Sequence, residues 1–276
     1  MKESVFAPGN TAVVTGAASG IGLAACRFFA SRGMRVCLAD HARDRLEKAA
    51  LEIASLTKDG QASVLAMPTD VAREQDLRAL HDAALERFGG VHVLMNNAAC
   101  FTPGTALSSD AWRQVMDVNY WGVLMGSQIF APTMMASGKP SYVINTGSKQ
   151  GITCPPGNTA YNVSKAAVKV YTEALQHELR SRGSLVSAHL LVPGWTTGGD
   201  AKPQPGAWMP HQVIDYMVPR VEQGDFYIIC PDNEVDSQLD RARILWAAGD
   251  IVENRPPLSR WLPEFREAFE RSRGGD

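Results

Sequence analysis

Short apolar runs alternate with amphipathic segments along most of the chain. Runs of β-branched and other apolar residues predict seven strands, at residues 11–15, 35–39, 63–67, 91–95, 141–145, 185–192 and 226–230. Between them, apolar residues spaced three or four positions apart predict helices at residues 23–31, 44–56, 73–88, 110–135, 161–182 and 211–223. Strands that are apolar along their length and alternate with helices are typical of a parallel sheet covered on both faces. The pattern predicts an α/β fold with a doubly wound parallel sheet.

The regular pattern ends after the sixth predicted strand. Residues 195–210 are rich in Gly, Pro and Thr without periodicity, and they predict a long loop that borders a substrate. No linker divides the preceding sequence, so we expect a single catalytic domain over residues 1–235. Residues 236–276 form a polar extension that nevertheless contains Trp246 and Trp261. Because such large apolar side chains need a surface to cover, the extension is expected to pack on its own domain or on a partner subunit.

The composition is that of an ordinary globular protein and argues against several classes of function. Of the 276 residues, 45% are apolar and 20% are charged, and the formal net charge of −2 is not that of a nucleic-acid-binding surface. The N-terminal residues contain no apolar leader and no run of 18 apolar residues occurs, so we expect a cytoplasmic protein with no membrane partner. Five scattered cysteines and six scattered histidines predict neither disulfides nor a metal site.

A glycine-rich turn and an acidic residue follow the first two predicted strands. Gly16, Gly20 and Gly22 precede the first helix, where glycine lets the backbone approach a pyrophosphate at the helix N-terminus. Asp40 follows Gly22 by 18 residues, where a carboxylate accepts hydrogen bonds from a ribose diol and repels a 2′-phosphate. Each feature also has a structural explanation, as a plain β–α turn and as a helix cap. Together they predict NAD as the cofactor in preference to NADP, although the nearby Arg43 keeps NADP as an alternative.

Tyr161 and Lys165 are four residues apart on a predicted helix and therefore lie on the same face. A phenol is a poor proton carrier near neutral pH, but an adjacent ammonium stabilises the phenolate and lowers the pKa of the phenol. Such a tyrosine can exchange a proton with an alcohol or carbonyl oxygen, and Ser148, on another element, can hydrogen-bond the same oxygen. Most Tyr-x-x-x-Lys pairs are structural, so this one indicates catalysis only in combination with the glycine turn and Asp40.

With these motifs together, the sequence resembles the short-chain dehydrogenase/reductase family over about residues 8–230. The segment from Thr15 to Gly22 matches the TGxxxGIG motif of the family. The segment from Asn96 to Ala99 matches its NNAG motif, with alanine in place of the last glycine. Ser148 precedes Tyr161 by 13 residues, as is usual in the family, and Pro193-Gly194 matches the motif after the sixth strand. The resemblance implies a Rossmann-type fold with helices on both faces of the sheet.

The resemblance also implies roles for individual residues. Tyr161 is expected to act as the acid/base, Ser148 to orient the substrate oxygen, and Lys165 to bind the nicotinamide ribose and lower the pKa of Tyr161. Asn119 is expected to hold a water molecule between Lys165 and solvent. Asp70 lies where the family places a residue that contacts adenine. The implied cofactor-binding residues are Gly16, Ser19, Gly20, Ile21, Gly22, Asp40, Asp70, Val71, Asn97, Ala98, Tyr161, Lys165, Pro193 and Gly194.

The expected activity is the NAD(H)-dependent interconversion of a secondary alcohol and a ketone. The alternatives are dehydration or epimerisation on the same fold, and a protein that binds NAD without turnover. The intact set of Ser148, Tyr161, Lys165 and Asn119 argues against the last alternative, because binding alone needs no proton relay. An apolar pocket for a bulky small-molecule substrate is expected from Cys100, Phe101, Ile152, Pro155, Pro156, Trp195 and Trp208.

Two further features concern the loop and the assembly. Trp195, Trp208 and Met209 either close over the substrate as a lid or anchor the loop on the core.

Members of the resembled family commonly pair through the helices predicted at residues 110–135 and 161–182, so a homodimer or homotetramer is expected. The small residues assigned to the outer faces of these two helices are Gly122, Gly126, Ala166 and Ala174.

Overall fold

The structure, a computed structural model, describes residues 4–107, 112–199 and 201–273. Its strands are β1 (Thr11–Thr15), β2 (Arg35–Asp40), β3 (Val64–Pro68), β4 (Val93–Asn96), β5 (Ser141–Thr146), β6 (Val186–Val192) and β7 (Tyr227–Ile229). They form one sheet in the order β3-β2-β1-β4-β5-β6-β7, and every neighbouring pair is parallel. The order reverses between β1 and β4, which is where doubly wound sheets bind ligands at the carboxyl ends of their strands. The predicted fold class is confirmed.

Helices cover both faces of this sheet. They are α1 (Gly20–Ser31), α2 (Arg43–Leu56), α3 (Glu74–Phe88), α4 (Trp112–Met116), α5 (Gly122–Ala136), α6 (Gln150–Thr153), α7 (Thr159–Ser181), α8 (Pro210–Gln223), α9 (Ser237–Val252) and α10 (Arg266–Ser272). Successive strand residues point to opposite faces, so Val14 packs with α1, α2 and α8, whereas Val13 packs with α3, α5 and α7. Across the described ranges, no helix has both the length and the apolar character needed to cross a membrane.

The helix predicted at residues 110–135 is interrupted. Residues 108–111 lie outside the described part of the chain, and α4 passes into a π-helical turn at Asp117–Trp121 before α5 begins. Within this turn, the buried Asn119 accepts a hydrogen bond from the Cys100 N–H at 2.8 Å and donates one to the Cys100 carbonyl at 3.0 Å. A π turn inserts an extra residue into a helix and often occurs at functional sites. Here it holds Asn119 against the segment that follows β4.

Gly122 and Gly126 are buried inside the subunit, so the expected position on an outer face is wrong. A Cβ atom on Gly126 would lie 2.4 Å from Oδ1 of Asn96, and one on Gly122 would lie 2.9 Å from Cγ2 of Val71. Both glycines therefore let α5 pack closely on its own domain. The physical reason for the error is that α5 is apolar on most sides, so its periodicity does not show which face meets the sheet.

The C-terminal extension contains more regular structure than its polar sequence indicates. Trp246 of α9 is buried, packs edge-on against Phe269 of α10, and is covered by the Arg255 guanidinium at 4.0 Å from its ring centroid. Helix α9 also contacts α6 of the same subunit, where Oδ2 of Asp240 lies 2.7 Å from Nζ of Lys149. The extension therefore meets its own domain next to Ser148.

Candidate active site

A cavity of about 910 Å³ lies at the carboxyl ends of β1, β4, β5 and β6, where the strand order reverses. This volume is in the range of about 300–1,000 Å³ that is usual for ligand sites. The predicted site residues that line the cavity are Gly16, Ser19, Gly20, Ile21, Asp40, Asp70, Val71, Asn97, Ala98, Ser148, Tyr161, Lys165, Pro193 and Gly194. Gly22 and Asn119 are buried and do not line it. The structure thus brings residues expected to bind the cofactor and residues expected to take part in proton transfer to the same cavity.

The glycine turn between β1 and α1 depends on close backbone packing. Gly16 has a φ of +64°, and a Cβ atom there would lie 2.8 Å from Cα of Ala98. A Cβ atom on Gly22 would lie 2.2 Å from the Gly16 carbonyl oxygen, so any larger residue would push α1 away from β1. Ser19 at the N-cap makes no side-chain capping hydrogen bond, which leaves the first N–H groups of α1 available to a phosphate at the cavity wall.

Asp40 is buried at the end of β2 and lines the cavity. Its Oδ2 accepts a hydrogen bond from the Ala18 N–H at 3.0 Å, and its Oδ1 accepts one from the Ala42 N–H at 2.9 Å. These bonds fix the carboxylate against the glycine turn, and each oxygen retains lone-pair capacity for a ligand hydroxyl. The arrangement fits a ribose diol.

Lys165 is only 1% exposed, an unusual position for an ammonium. Its Nζ donates a hydrogen bond to the Thr146 carbonyl at 2.8 Å and lies 5.8 Å from the centroid of the Tyr161 ring. Burial lowers the pKa of Lys165 to about 8. The side chain is therefore mostly cationic at neutral pH and loses its proton in mildly basic solution.

Tyr161 is subject to two opposing effects. Burial raises the pKa of the phenol, whereas the hydrogen bond with the Ser148 hydroxyl lowers it, and the net direction is upward. The expectation that Lys165 brings this pKa below its usual value is therefore not met, because burial of the phenol is the largest effect on it. Ser148 Oγ accepts a hydrogen bond from the Gln150 N–H at 3.2 Å, which holds the hydroxyl at the start of α6.

Asn119 connects the segment after β4 to α7. Besides its two hydrogen bonds with the Cys100 backbone, its Nδ2 donates to Oγ of Ser164 at 3.2 Å. Both ends of the amide are thus bonded to protein groups, so the side chain fixes neighbouring elements in place. Its expected role in holding a water molecule near Lys165 stays a prediction.

Of the residues expected to form an apolar pocket, some lie at the cavity or against Tyr161, and others pack elsewhere in the domain. Cys100 lines the cavity, with burial raising the pKa of its thiol, and Phe101 packs edge-on against the Tyr161 ring at 5.3 Å between centroids. Trp208 instead packs against the core beside Tyr216, which favours an anchor over a lid. Trp195 is half exposed, and Ile152 packs in a separate cluster with Val168.

Several residues of the cavity wall were not predicted: His41, Arg45, Arg113, Gln114, Asp117, Thr146, Thr196 and Thr197. Thr146 could have been predicted from the sequence, because it ends β5 and the carboxyl ends of parallel strands meet at this edge of the sheet. Arg45 lies two residues beyond the predicted candidate Arg43, in the first turn of α2. Arg113 had no signal, because its position depends on the irregular path of the chain through α4 and the π turn.

The chain is similar to known proteins in both sequence and structure. The sequence model for short chain dehydrogenase matches residues 10–205. The protein 1-deoxy-11-beta-hydroxypentalenate dehydrogenase of Streptomyces exfoliatus is 37% identical over 189 residues, which cover 67% of this chain and 66%, just under two thirds, of that protein. The chain therefore spans just under two thirds of the length of this relative, and the substrate in that name is a property of the relative.

Two solved structures share the fold. A short chain dehydrogenase/reductase from Burkholderia phymatum in complex with NAD has a TM-score of 0.83 at 31% identity, covering 92% of this chain and 98% of that chain. The alcohol dehydrogenase from Thermococcus sibiricus, complexed with 5-hydroxy-NADP, has a TM-score of 0.69 at 26% identity, covering 77% of this chain and 90% of that chain. On these matches, the chain belongs to the short-chain dehydrogenase family of oxidoreductases.

Proposed function

We propose that this protein is an NAD(H)-dependent oxidoreductase that interconverts a secondary alcohol and a ketone on an apolar or bulky small molecule. The observation that carries the proposal is that Asp40 lines the same cavity as Ser148, Tyr161 and Lys165. A dinucleotide site needs only the first of these residues, whereas proton exchange with a substrate oxygen needs the other three. Their presence in one cavity supports redox chemistry at an alcohol carbon.

In the direction of alcohol oxidation, Tyr161 as the phenolate removes the hydroxyl proton while Ser148 hydrogen-bonds the same oxygen. Burial raises the pKa of Tyr161 overall, and the positive charge of Lys165, 5.8 Å from the centroid of the Tyr161 ring, opposes that rise as the phenolate forms. When bound, NAD supplies the acceptor for the hydride that leaves the carbinol carbon. The substrate loses a proton and a hydride, and a ketone remains. Phe101 beside Tyr161 favours a substrate with an apolar ring or chain next to the carbinol.

NAD fits the observed residues better than NADP. The Asp40 carboxylate is held at the cavity wall by two backbone N–H groups, where it favours a free ribose diol and repels a phosphate. The similar Burkholderia structure contains NAD, while the less similar Thermococcus structure contains an NADP derivative. The two similar structures thus contain one dinucleotide of each kind, and the carboxylate at Asp40 favours NAD in this chain.

Tyr161→Phe is expected to lower kcat by at least about 100-fold while leaving the NAD dissociation constant within about two-fold. The phenol is the assigned proton carrier, and its loss leaves the glycine turn and Asp40 intact. A panel of secondary alcohols with NAD first identifies a turned-over substrate, and calorimetry measures NAD binding. Tyr227→Phe, at an exposed tyrosine of β7, is the control. A Tyr161→Phe variant that keeps more than a tenth of the wild-type kcat would show that Tyr161 is not the proton carrier.

Burial of Lys165 also predicts how stability depends on pH. Its pKa is about 8 in the folded protein against 10.5 for an exposed lysine, so the unfolded chain binds more protons between these values. The free energy of unfolding of the wild type should therefore rise from pH 8 to pH 10.5 relative to Lys165→Met, by at most about 1.4 kcal/mol per pH unit. Denaturant unfolding of both proteins across this range measures the difference. Parallel curves would show that burial does not lower the pKa of Lys165.

Asp40→Asn is expected to raise the ratio of kcat/KM for NADP to that for NAD by about ten-fold or more. The substitution removes the negative charge that opposes a 2′-phosphate but retains an oxygen for one backbone hydrogen bond. Asp44→Asn removes an exposed aspartate from the first turn of α2 and is the matched control. Equal kcat/KM values for the two cofactors in the wild type would refute the assignment of Asp40.

We further propose that two copies of the chain pair through α7 and the segment around Trp121. Val163, Val170 and Ala174 are exposed on one side of α7, because Val170 follows Val163 by seven residues and Ala174 follows Val170 by four. Trp121, the residue immediately before α5, is also exposed. Sedimentation should give a dimer or tetramer at micromolar concentration, and Val170→Lys should weaken it because burying the added charge is costly. Leu51→Lys, at an exposed leucine of α2, is the control. A wild-type monomer with full activity would exclude this assembly.

A further inference from the structure

A buried ion cluster follows directly on Ser148. Nζ of Lys149 lies 3.2 Å from Oδ2 of Asp232 and 2.7 Å from Oδ2 of Asp240. The three side chains are only 3–15% exposed. They come from three separate parts of the chain: the turn into α6, the segment after β7, and α9. Because removing one member of a buried charge cluster leaves the others uncompensated, the cluster ties these three segments together.

Asp232 extends the cluster to the loop after β6. Its Oδ2 accepts a hydrogen bond from the Trp195 N–H at 3.0 Å, in addition to contacting Lys149. A Cβ atom on Gly194 would lie 2.4 Å from this Oδ2 and 2.9 Å from Nζ of Lys149. The ion pair therefore packs against the backbone of Gly194, a residue that lines the cavity. A side chain at this position would displace the pair.

The neighbour of Asp232 holds the far end of the same loop. Nδ2 of Asn233 donates hydrogen bonds to the carbonyls of Pro205 at 2.8 Å and Ala207 at 3.2 Å. The two ends of the loop also meet each other, since the Trp208 N–H donates to the Trp195 carbonyl at 2.9 Å. The short segment after β7 thus clamps the loop at both ends, and Lys149 connects that clamp to the turn that carries Ser148.

We infer that Lys149, Asp232 and Asp240 are positioning residues through which the C-terminal extension holds Ser148 and the loop at Trp195 in place for the substrate. The inference rests on the proposed function, in which Ser148 orients the substrate oxygen. None of the three side chains lines the cavity, so they act through the backbone of Ser148 and Gly194. Their loss should impair the use of substrate more than the affinity for NAD, because Gly194 is one of many residues expected to hold the cofactor, whereas Ser148 is the residue assigned to the substrate oxygen.

The first arm of the test needs no substrate. Asp240→Asn keeps the size of the side chain and removes its charge, and amide hydrogen exchange then reports on the N–H groups of Trp195 and Gln150. These two groups donate to Asp232 and to Ser148, so their exchange should become about ten-fold faster or more. Asp215→Asn, at an exposed aspartate of α8, is the control and should leave both rates unchanged. Unchanged exchange in Asp240→Asn would overturn the inference.

The second arm measures substrate use. In Asp240→Asn, kcat/KM should fall about 10–100-fold, because small displacements of positioning groups have effects of this size, while the NAD dissociation constant stays within about two-fold. The double variant with Lys149→Met should be no worse than the poorer single variant, because both substitutions break the same link. Equal losses of kcat/KM and NAD affinity would overturn the inference, since they indicate general destabilisation. Faster exchange without turnover of any alcohol by the wild type would instead refute the proposed function.

Discussion

Burial of the Lys165 ammonium is the constraint on which the geometry of the site depends. Removing a charged amine from water costs several kcal/mol unless protein dipoles replace the water. The Thr146 carbonyl supplies such a dipole at 2.8 Å, which ties α7 to the end of β5. Helix α6 then packs on the backbone of α7 so closely that a Cβ atom on Gly151 would lie 2.5 Å from the carbonyl carbon of Lys165. Because Ser148 begins the turn into α6, its place beside Tyr161 follows from how α7 docks.

Much of the fold could be predicted because its signals are local. An apolar run is visible in a few residues, and the alternation of such runs with helical segments leaves few arrangements other than a doubly wound parallel sheet. The irregular features could not be predicted in this way. The π turn at Asp117–Trp121 accompanies the hydrogen bonds between Asn119 and Cys100, two residues that are distant in sequence. Likewise, only the packed structure shows that Gly126 faces Asn96.

The candidate site also has features that could be predicted from the sequence and features that could not. The glycine turn, Asp40, Ser148, Tyr161 and Lys165 could be named in advance, since each follows a predicted strand or lies on a predicted helix at a defined spacing. The direction of the Tyr161 pKa could not, because it depends on whether burial outweighs the charge and hydrogen bonds around the phenol. The ion cluster at Lys149 could not be predicted either, because Asp240 is 91 residues further along the chain and lies in an extension with a mostly polar sequence.

The central claim is that this chain moves a hydride between a carbinol carbon and NAD while Tyr161 carries the proton. The most direct measurement uses a secondary alcohol with deuterium on the carbinol carbon, followed by mass spectrometry of the nicotinamide product. The expected result is one deuterium in the nicotinamide ring for each ketone formed. Deuterium released to water, or retained in a rearranged substrate without any reduced nicotinamide, would contradict the claim and would indicate dehydration or epimerisation on the same fold.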